Sequence, residues 1–310
     1  GGQETTVSRM DVDADGHDDV VVRTRDLNLF ISPRFGGAAF ELDYRPAGIN
    51  LLNTLTRWPE GYHHRIGDAG KAPEGGGGVG GVGGGGGTES IHDIVLSKED
   101  DIKKYLKLDS ARRGFMQDRF LAEEVTVEAF SGAEFSELGD FFTGRYDAGL
   151  TGDGVTLSRK GSVKGRPVTV VKGIRAAGNS LGVDYRVEGG EAAAGVRFAV
   201  EFNVILPCCD GPVCRYDAGP VPVPEAGLGT TGELREAKSI SIIDALTKVR
   251  LSIEADTPAT LWRFPVYTVS ISEAGFEKIF QGSCVVFLFP MDTGGLDVGF
   301  DIRVEGHDVG

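Results

Sequence analysis

The sequence predicts an all-β fold, a large antiparallel sandwich or barrel with one short helix. Three observations predict it: apolar residues alternate over short runs, Gly, Pro or Asp separates those runs, and one segment carries a helical signature. The 310 residues can bury a sizeable core, and 40% hydrophobic with 25% charged residues is the balance of a packed chain rather than a disordered one. Length alone fits one large β domain or two ordinary ones.

The alternation is plainest at Leu27, Leu29 and Ile31 and at Leu181, Val183, Tyr185 and Val187, where every second side chain is apolar and half-buried strands follow. Further β-type runs cover Glu124 to Phe130, Pro167 to Val171, Val196 to Leu206, Val249 to Ile253, Ser283 to Phe289 and Leu296 to Val304. The helix is expected from Ser97, which can cap it. Glu99, Asp100 and Asp101 suit the positive end of its dipole, and Ile102, Tyr105 and Leu106 share a face.

Between Gly75 and Gly87 every residue is glycine except Val79 and Val82, so a mobile loop is expected over about 70–89. Strand-type sequence resumes after it, and the loop is read as an excursion within a single domain spanning 1–310. The strand, helix and Lys that a phosphate-binding glycine loop needs are not in place around it.

A formal net charge of −14, spread along the chain, would repel a polyanion, so no nucleic-acid partner is expected. No run approaches the roughly 20 apolar residues of a membrane span, and Gly1 to Met10 lacks the apolar core of a signal peptide, so a soluble, cytoplasmic chain is expected. Cys208, Cys209, Cys214 and Cys284 lack paired C-x-x-C spacing and read as free thiols, with Cys284 in the core beside Val285 and Val286.

The sharpest local motif is Asp11-Val12-Asp13-Ala14-Asp15-Gly16-His17-Asp18-Asp19. Asp11, Asp13, Asp15 and Asp19 stand at positions one, three, five and nine of a calcium loop, Gly16 permits its tight turn, and the His17 carbonyl supplies position seven. Val22 stands where the bidentate Glu of an EF-hand would be, and Val20 to Val22 lead into a strand. A calcium-binding β-type loop is the expectation, and an unliganded acidic turn is the alternative.

Acid and base candidates abound, among them Asp93, Glu137, Asp140, Glu273 and Glu277, but nothing in the sequence pairs two of them across a scissile bond. His63, His64 and His92 flank the glycine-rich stretch, where structural hydrogen bonding is favoured over metal ligation. Trp58, Tyr62, Trp262, Phe264 and Tyr267 combine flat apolar faces with polar neighbours, as a pyranose ring prefers, although the apolar surroundings of Trp262 favour core packing.

Longer stretches carry a resemblance. They are FGGAAFELDYRPAGINLLNTLTRWPEGYHH from Phe35 to His64, SIHDIVLSKEDDIKKYL beyond the glycines, ELGDFFTGRYD, VEFNVIL, and LWRFPVYTVSISEAGFEKIFQGSCVVFLFP. They resemble the carboxy-terminal β-sandwich of glycoside hydrolase family 57, in its α-amylase and 4-α-glucanotransferase branch, over nearly the whole chain. The resemblance implies a galactose-mutarotase-like supersandwich that packs, in complete enzymes, against a barrel carrying the Glu nucleophile and Asp acid/base of a retaining reaction. The alternating strand and helix pattern of that barrel is not found here, so no catalytic residue carries over. The glycine-rich stretch replaces a polar linker usual in the family.

The expected role is therefore an accessory domain with a family 57 catalytic barrel and an α-glucan as partners. Trp58, Tyr62, His63, His92 and Arg263 form the carbohydrate-binding shortlist. A stand-alone mutarotase- or epimerase-like enzyme, using His92 with Asp93 or Glu137, and a purely structural module are the competing readings.

Overall fold

The computed structural model of the chain describes residues 5–52, 56–63, 102–192, 194–205, 213–272 and 275–307. In chain order the strands are β1 (Thr6–Met10), β2 (Asp19–Arg23), β3 (Leu27–Ser32), β4 (Ala38–Tyr44), β5 (Ile49–Asn50), β6 (Phe115–Ala122), β7 (Asp147–Leu150) and β8 (Gly154–Val163). They continue as β9 (Arg166–Ala177), β10 (Ser180–Glu188), β11 (Val196–Val204), β12 (Cys214–Asp217), β13 (Gly232–Asp244), β14 (Val249–Ser272), β15 (Gly275–Pro290) and β16 (Leu296–Gly306). The α-helix α1 (Val127–Ser131) and two short 3-10 turns, at Ile102–Tyr105 and Gly190–Ala192, complete the described elements.

The main path of the sheet is β1-β2-β3-β4-β6-β11-β15-β14-β16-β10-β9-β8-β7, with β13 beside β14, β12 beside β13 and β5 beside β4. One strand joins its two halves. Residues 249–255 of β14 pair with β16, and residues 260–272 pair with β15. Between them, Asp256-Thr257-Pro258 carries the strand from one sheet to the other, and Pro258 sits where no ladder hydrogen bond has to be donated. The halves then close over one core, in which Phe300 of β16 meets Phe202 of β11 at 5.4 Å and Phe287 of β15 at 5.3 Å between ring centres.

The alternating runs behave as expected: Leu27, Leu29 and Ile31 are buried on β3, and Leu181, Val183, Tyr185 and Val187 on β10. The run read as a strand over Glu124 to Phe130 is a correction. Val127–Ser131 forms α1, capped by the Thr126 side chain, which accepts from the Ala129 N–H at 3.3 Å. Burying Val127 and Phe130, three residues apart, against Trp262 and Phe264 overrides the β propensity of Val125, Thr126 and Val127.

The helix expected from Ser97 is described only from Ile102, as a single 3-10 turn. Its predicted face is the one that packs, with Ile102 against Val269 and Phe276 and with Tyr105 and Leu106 beside them. Ser97 to Asp101 and the glycine-rich stretch lie outside the described residues, as do Cys208 and Cys209. Cys214 and Cys284 are both buried, Cys284 as a free thiol. Among the described residues no helix is long and apolar enough to cross a membrane.

A polar cluster sits inside this core. Lys172 reaches from β9 to the opposite sheet, where its Nζ donates to the Gly36 carbonyl at 3.1 Å, the Met116 carbonyl at 2.9 Å and Asp118 Oδ1 at 3.1 Å. Asp118 also accepts from the Tyr146 hydroxyl. Gly37 makes room for the amine: at φ +53, a Cβ there would press on the Tyr146 ring, Leu157 and Lys172 at 3.1 to 3.2 Å. Burial raises the Asp118 pKa and lowers that of Lys172, while their mutual attraction opposes both shifts.

Removing one partner of such a pair leaves the other buried and unpaired, whereas removing both charges together costs less. Lys172→Met is expected to lower unfolding free energy by about 3–5 kcal/mol, and Lys172→Met with Asp118→Asn to recover part of that loss. Urea denaturation of the parent, both single variants and the double variant measures it; additive losses would show that the pair is not coupled.

Candidate functional site

The face of β6, β11, β15 and β14 turned away from the main core carries a second, different interior. Strand alternation puts Arg119 and Leu121 of β6, Ala199 and Glu201 of β11, Cys284, Val286 and Leu288 of β15, and Trp262 and Phe264 of β14 on this side. α1 and Phe135 cover it, with Phe130 and Phe135 stacked at 4.8 Å.

Along its edge runs a chain of alternating charges. Arg57 Nη2 meets Asp109 Oδ1 at 2.6 Å, Arg113 Nη2 meets the same oxygen at 2.7 Å, and Arg113 Nη1 meets Glu201 Oε1 at 3.3 Å. Arg119 Nε bonds the other Glu201 oxygen, and its Nη1 meets Glu137 Oε2 at 3.0 Å. Three guanidinium groups thus neutralise three carboxylates, and the remaining acceptors take Asn203 Nδ2 on Glu201 at 2.9 Å and the Phe120 N–H on Glu137 at 2.8 Å. The cavity beside Arg113, Arg119 and Glu201 is about 20 Å³, room for a water.

Burial works to raise the Asp109 carboxyl, but Arg113 and Arg57 outweigh it and hold it at about 2. Burial is likewise overcome at Glu201, which Arg119, Arg113 and Asn203 keep below the usual range. At Glu137 burial wins over Arg119, and its pKa is raised. Glu137 was a general acid/base candidate; its oxygens are turned onto Arg119 and the Phe120 amide. Asp140, another candidate, pairs with Arg159 at 2.9 Å.

The carbohydrate shortlist divides. Trp58 is half exposed. Tyr62 donates its hydroxyl to the Val269 carbonyl at 3.2 Å, and His63 accepts from the Glu60 N–H at 3.1 Å while its Nε2 lies 3.4 Å from the same carbonyl. Both side chains tie their segment to β14. Arg263 is a correction: it is only 1% exposed and donates to the Pro224 and Thr230 carbonyls, with its guanidinium over the Tyr216 ring at 5.0 Å. Next to outward Trp262 on an alternating strand, it points inward and anchors the 224–230 loop. Trp262 is fully buried, as its apolar neighbours suggested, and its Nε1 donates to Glu233 at 2.9 Å.

His64, His92, Asp93 and Glu273 lie outside the described residues. None of the described histidines is bonded to Glu137: His17 lies in the acidic turn, His63 against the Val269 carbonyl of β14, and His307 donates its backbone N–H to the Lys248 carbonyl.

Beside Arg57 a cleft of about 610 Å³ opens between the 3-10 turn, α1 and β14. Tyr105 and Tyr267 meet there edge to face at 5.5 Å, and the Lys278 ammonium lies over both rings. The helical face that marked Tyr105 as packing is borne out, and the same residue also lines this cleft, which its sequence neighbours do not reveal.

In the acidic turn, Asp11, Asp13 and Asp15 bring carboxylate oxygens within 4.8 Å of one another. Asp11 accepts from the Asp15 and Gly16 amides at 3.1 and 3.0 Å, Asp15 accepts from the His17 amide at 2.9 Å, and Gly16 takes φ +85. This cluster can coordinate a divalent cation. Asp19 is a correction to the ligand set: buried at the start of β2, it accepts from the Val12 N–H at 3.3 Å and closes the turn from below. Burial is the first cause of its raised pKa.

The ion chain should make itself felt in acid. A carboxyl held at about 2 stabilises the fold above its unfolded value near 4, and that contribution disappears as pH falls from about 4 to about 2, some 2 kcal/mol for Asp109. Urea unfolding at stepped pH should show this slope in the parent, with Asp109→Asn less stable at pH 7 and flatter below pH 4. An equal slope in both would place the acid sensitivity elsewhere.

Residues 11–300 match the family model described as alpha-amylase/4-alpha-glucanotransferase, C-terminal. A 4-alpha-glucanotransferase of Thermococcus kodakarensis is 32% identical over 91% of this chain and 38% of its own length, and an alpha-amylase of Pyrococcus abyssi is 29% identical over 95% and 40%. The chain therefore spans about two fifths of these relatives. The crystal structure of 4-alpha-glucanotransferase from Thermococcus litoralis superposes over 98% of this chain and 40% of that one, with a TM-score of 0.74 at 26% identity. A putative mutarotase from Salmonella typhimurium covers 97% of this chain and 94% of its own, with a TM-score of 0.54 at 9% identity, a likeness of fold alone.

Proposed function

The chain belongs to the alpha-amylase/4-alpha-glucanotransferase C-terminal family, and on that premise we propose that it is an accessory, non-catalytic β-sandwich domain. It would support a family 57 catalytic barrel, in the same polypeptide or as a separate one, and bind α-glucan. The observation that carries this reading is the match of residues 11–300 to the C-terminal part of proteins of which the chain spans only 38 to 40%. The state of its carboxylates supports it as well, since Asp109, Glu137 and Glu201 are each closed on an arginine rather than poised toward open space. The domain is read as a single unit over 1–310 with the glycine-rich stretch as an excursion, and the buried thiol of Cys284 suits a reducing cytoplasm.

Titration calorimetry with maltoheptaose, run beside an assay for released glucose and redistributed glucans, tests the role. Heat of binding without turnover is expected. Hydrolysis or disproportionation by the purified chain would overturn the non-catalytic assignment, and no heat at millimolar sugar would remove glucan binding.

The cation at Asp11, Asp13 and Asp15 is proposed to be calcium, which suits an all-oxygen turn with a glycine at position six. Calcium is expected to raise the melting temperature of the parent over that in chelator, and Asp13→Asn with Asp15→Asn to abolish the difference. Identical melting of parent and variant in both conditions would leave an unliganded turn.

A further inference from the structure

A second opening, distinct from the Tyr105 and Tyr267 cleft, lies beside the acidic turn. It encloses about 740 Å³ between the end of β1, the turn 16–18, the loop 33–35 and the segment 143–148. Three arginines and two aspartates line it; Arg9 is spent on the Ala148 carbonyl, and the other four charges do not pair with one another. Among the described residues, Arg34, Arg145, Asp18 and Asp147 have no ion-pair partner, although all four border the same space. Phe35, 47% exposed, stands between them with the Arg34 guanidinium 5.4 Å from its ring centre.

Charges of both signs held apart around an open volume suit a ligand that donates and accepts at every corner. An anion would meet the arginines favourably but be repelled by Asp18 and Asp147, and a cation would meet the reverse. A neutral polyol satisfies both, because each hydroxyl donates one hydrogen bond and accepts up to two, and a pyranose adds a flat C–H face for an exposed aromatic ring. The space is within the range that takes a small-molecule ligand of several rings.

The walls are fixed before any ligand arrives. Gly36 donates its N–H to the Gly144 carbonyl at 2.9 Å, and Tyr146 donates to the Pro33 carbonyl at 2.7 Å, so the loop bearing Arg34 and Phe35 is stitched to the one bearing Arg145 and Asp147. The approach is close enough that a Cβ on Gly36, at φ +69, would lie 2.4 Å from the Phe142 carbonyl oxygen. Arg9 reaches from β1 to the Ala148 carbonyl and closes the far side. Such preorganisation lowers the ordering cost of binding.

We propose that this groove, framed by Phe35, Arg34, Arg145, Asp18 and Asp147, is an oligosaccharide-binding site and the place where the domain holds α-glucan. The assignment of the sugar class rests on the accessory-domain reading above; the location rests on the groove alone.

The test titrates maltoheptaose, and separately sodium poly-glutamate, into the parent, Phe35→Ala, Arg145→Ala and Trp58→Ala. Phe35→Ala and Arg145→Ala are expected to weaken maltoheptaose binding about tenfold or more, and Trp58→Ala to change it less than about threefold. Because Phe35 and Arg145 are surface side chains, their melting temperatures should stay within about 2 °C of the parent, which separates lost binding from lost folding. Full binding in both groove variants, with loss in Trp58→Ala, would overturn the groove and leave glucan binding standing. No binding by the parent would overturn glucan binding itself, and capture of poly-glutamate alone would make the groove a surface for an acidic partner and overturn the saccharide assignment.

Discussion

The passage of β14 from one sheet to the other is the constraint on which the remaining structure depends. A 24-residue strand that pairs first with β16 and then with β15 must keep its side-chain alternation in phase across both sheets. That phase decides that Trp262 and Phe264 face α1 while Arg263 faces Tyr216, and a slip of one residue would exchange them. Pro258 suits the crossing because a break in the ladder is already needed there. The same alternation gives one strand two interiors: an aromatic one between the sheets, centred on Phe300, and an aromatic and ionic one outside them.

β6 shows the same duality in adjacent residues. Asp118 points into the sandwich, where Lys172 and two tyrosines surround it, and Arg119 points outward into the chain of ion pairs. Both sets are closed, with each charge matched by an opposite one and the leftover acceptors given to amide or hydroxyl donors. The two differ in how the carboxyl responds. Asp109 and Glu201 each face two arginines, and attraction defeats burial; Asp118 faces a single lysine, and burial defeats attraction. Neither arrangement resembles a reactive carboxylate, which needs access as well as a shifted pKa.

The fold was legible from alternation because most of its strands bury one face against the core, and Leu27 to Ile31 or Leu181 to Val187 announce that directly. Val125 to Phe130 misled because a run of β-branched residues is equally a strand or a short buried helix. Thr126 as a cap and the spacing of Val127 and Phe130 were the available counter-signals. In the acidic turn, Asp11, Asp13 and Asp15 could be read from spacing, but not that Asp19 turns inward, because that depends on β2 being buried from its first residue. Arg263 was misread for want of one fact, the phase of β14. The Phe35 groove left no trace in local sequence: its parts come from around residues 9, 18, 35 and 145, and they are united by tertiary bonds such as those from Gly36 to Gly144, from Tyr146 to Pro33 and from Arg9 to Ala148.

The likeness to mutarotase folds raises the question of where a ligand would sit on this one. Shared architecture does not transfer a site, since a site is a set of side chains and an empty volume. On the outer face of the central strands, α1 and Phe135 fill the space and the cavity beside Arg113 and Glu201 has room for a water, not for a sugar ring. Opening that face would require lifting Phe130 and Phe135 off Trp262 and Arg119, against both apolar burial and cation–π contact. Among the described residues, two larger volumes lie elsewhere, one beside Tyr105 and Tyr267 and one beside Phe35, the second framed by the loop 33–35 and the segment 143–148. A sandwich arranged in this way is suited to hold a polymer at its edge, which is what the proposed accessory role asks of it.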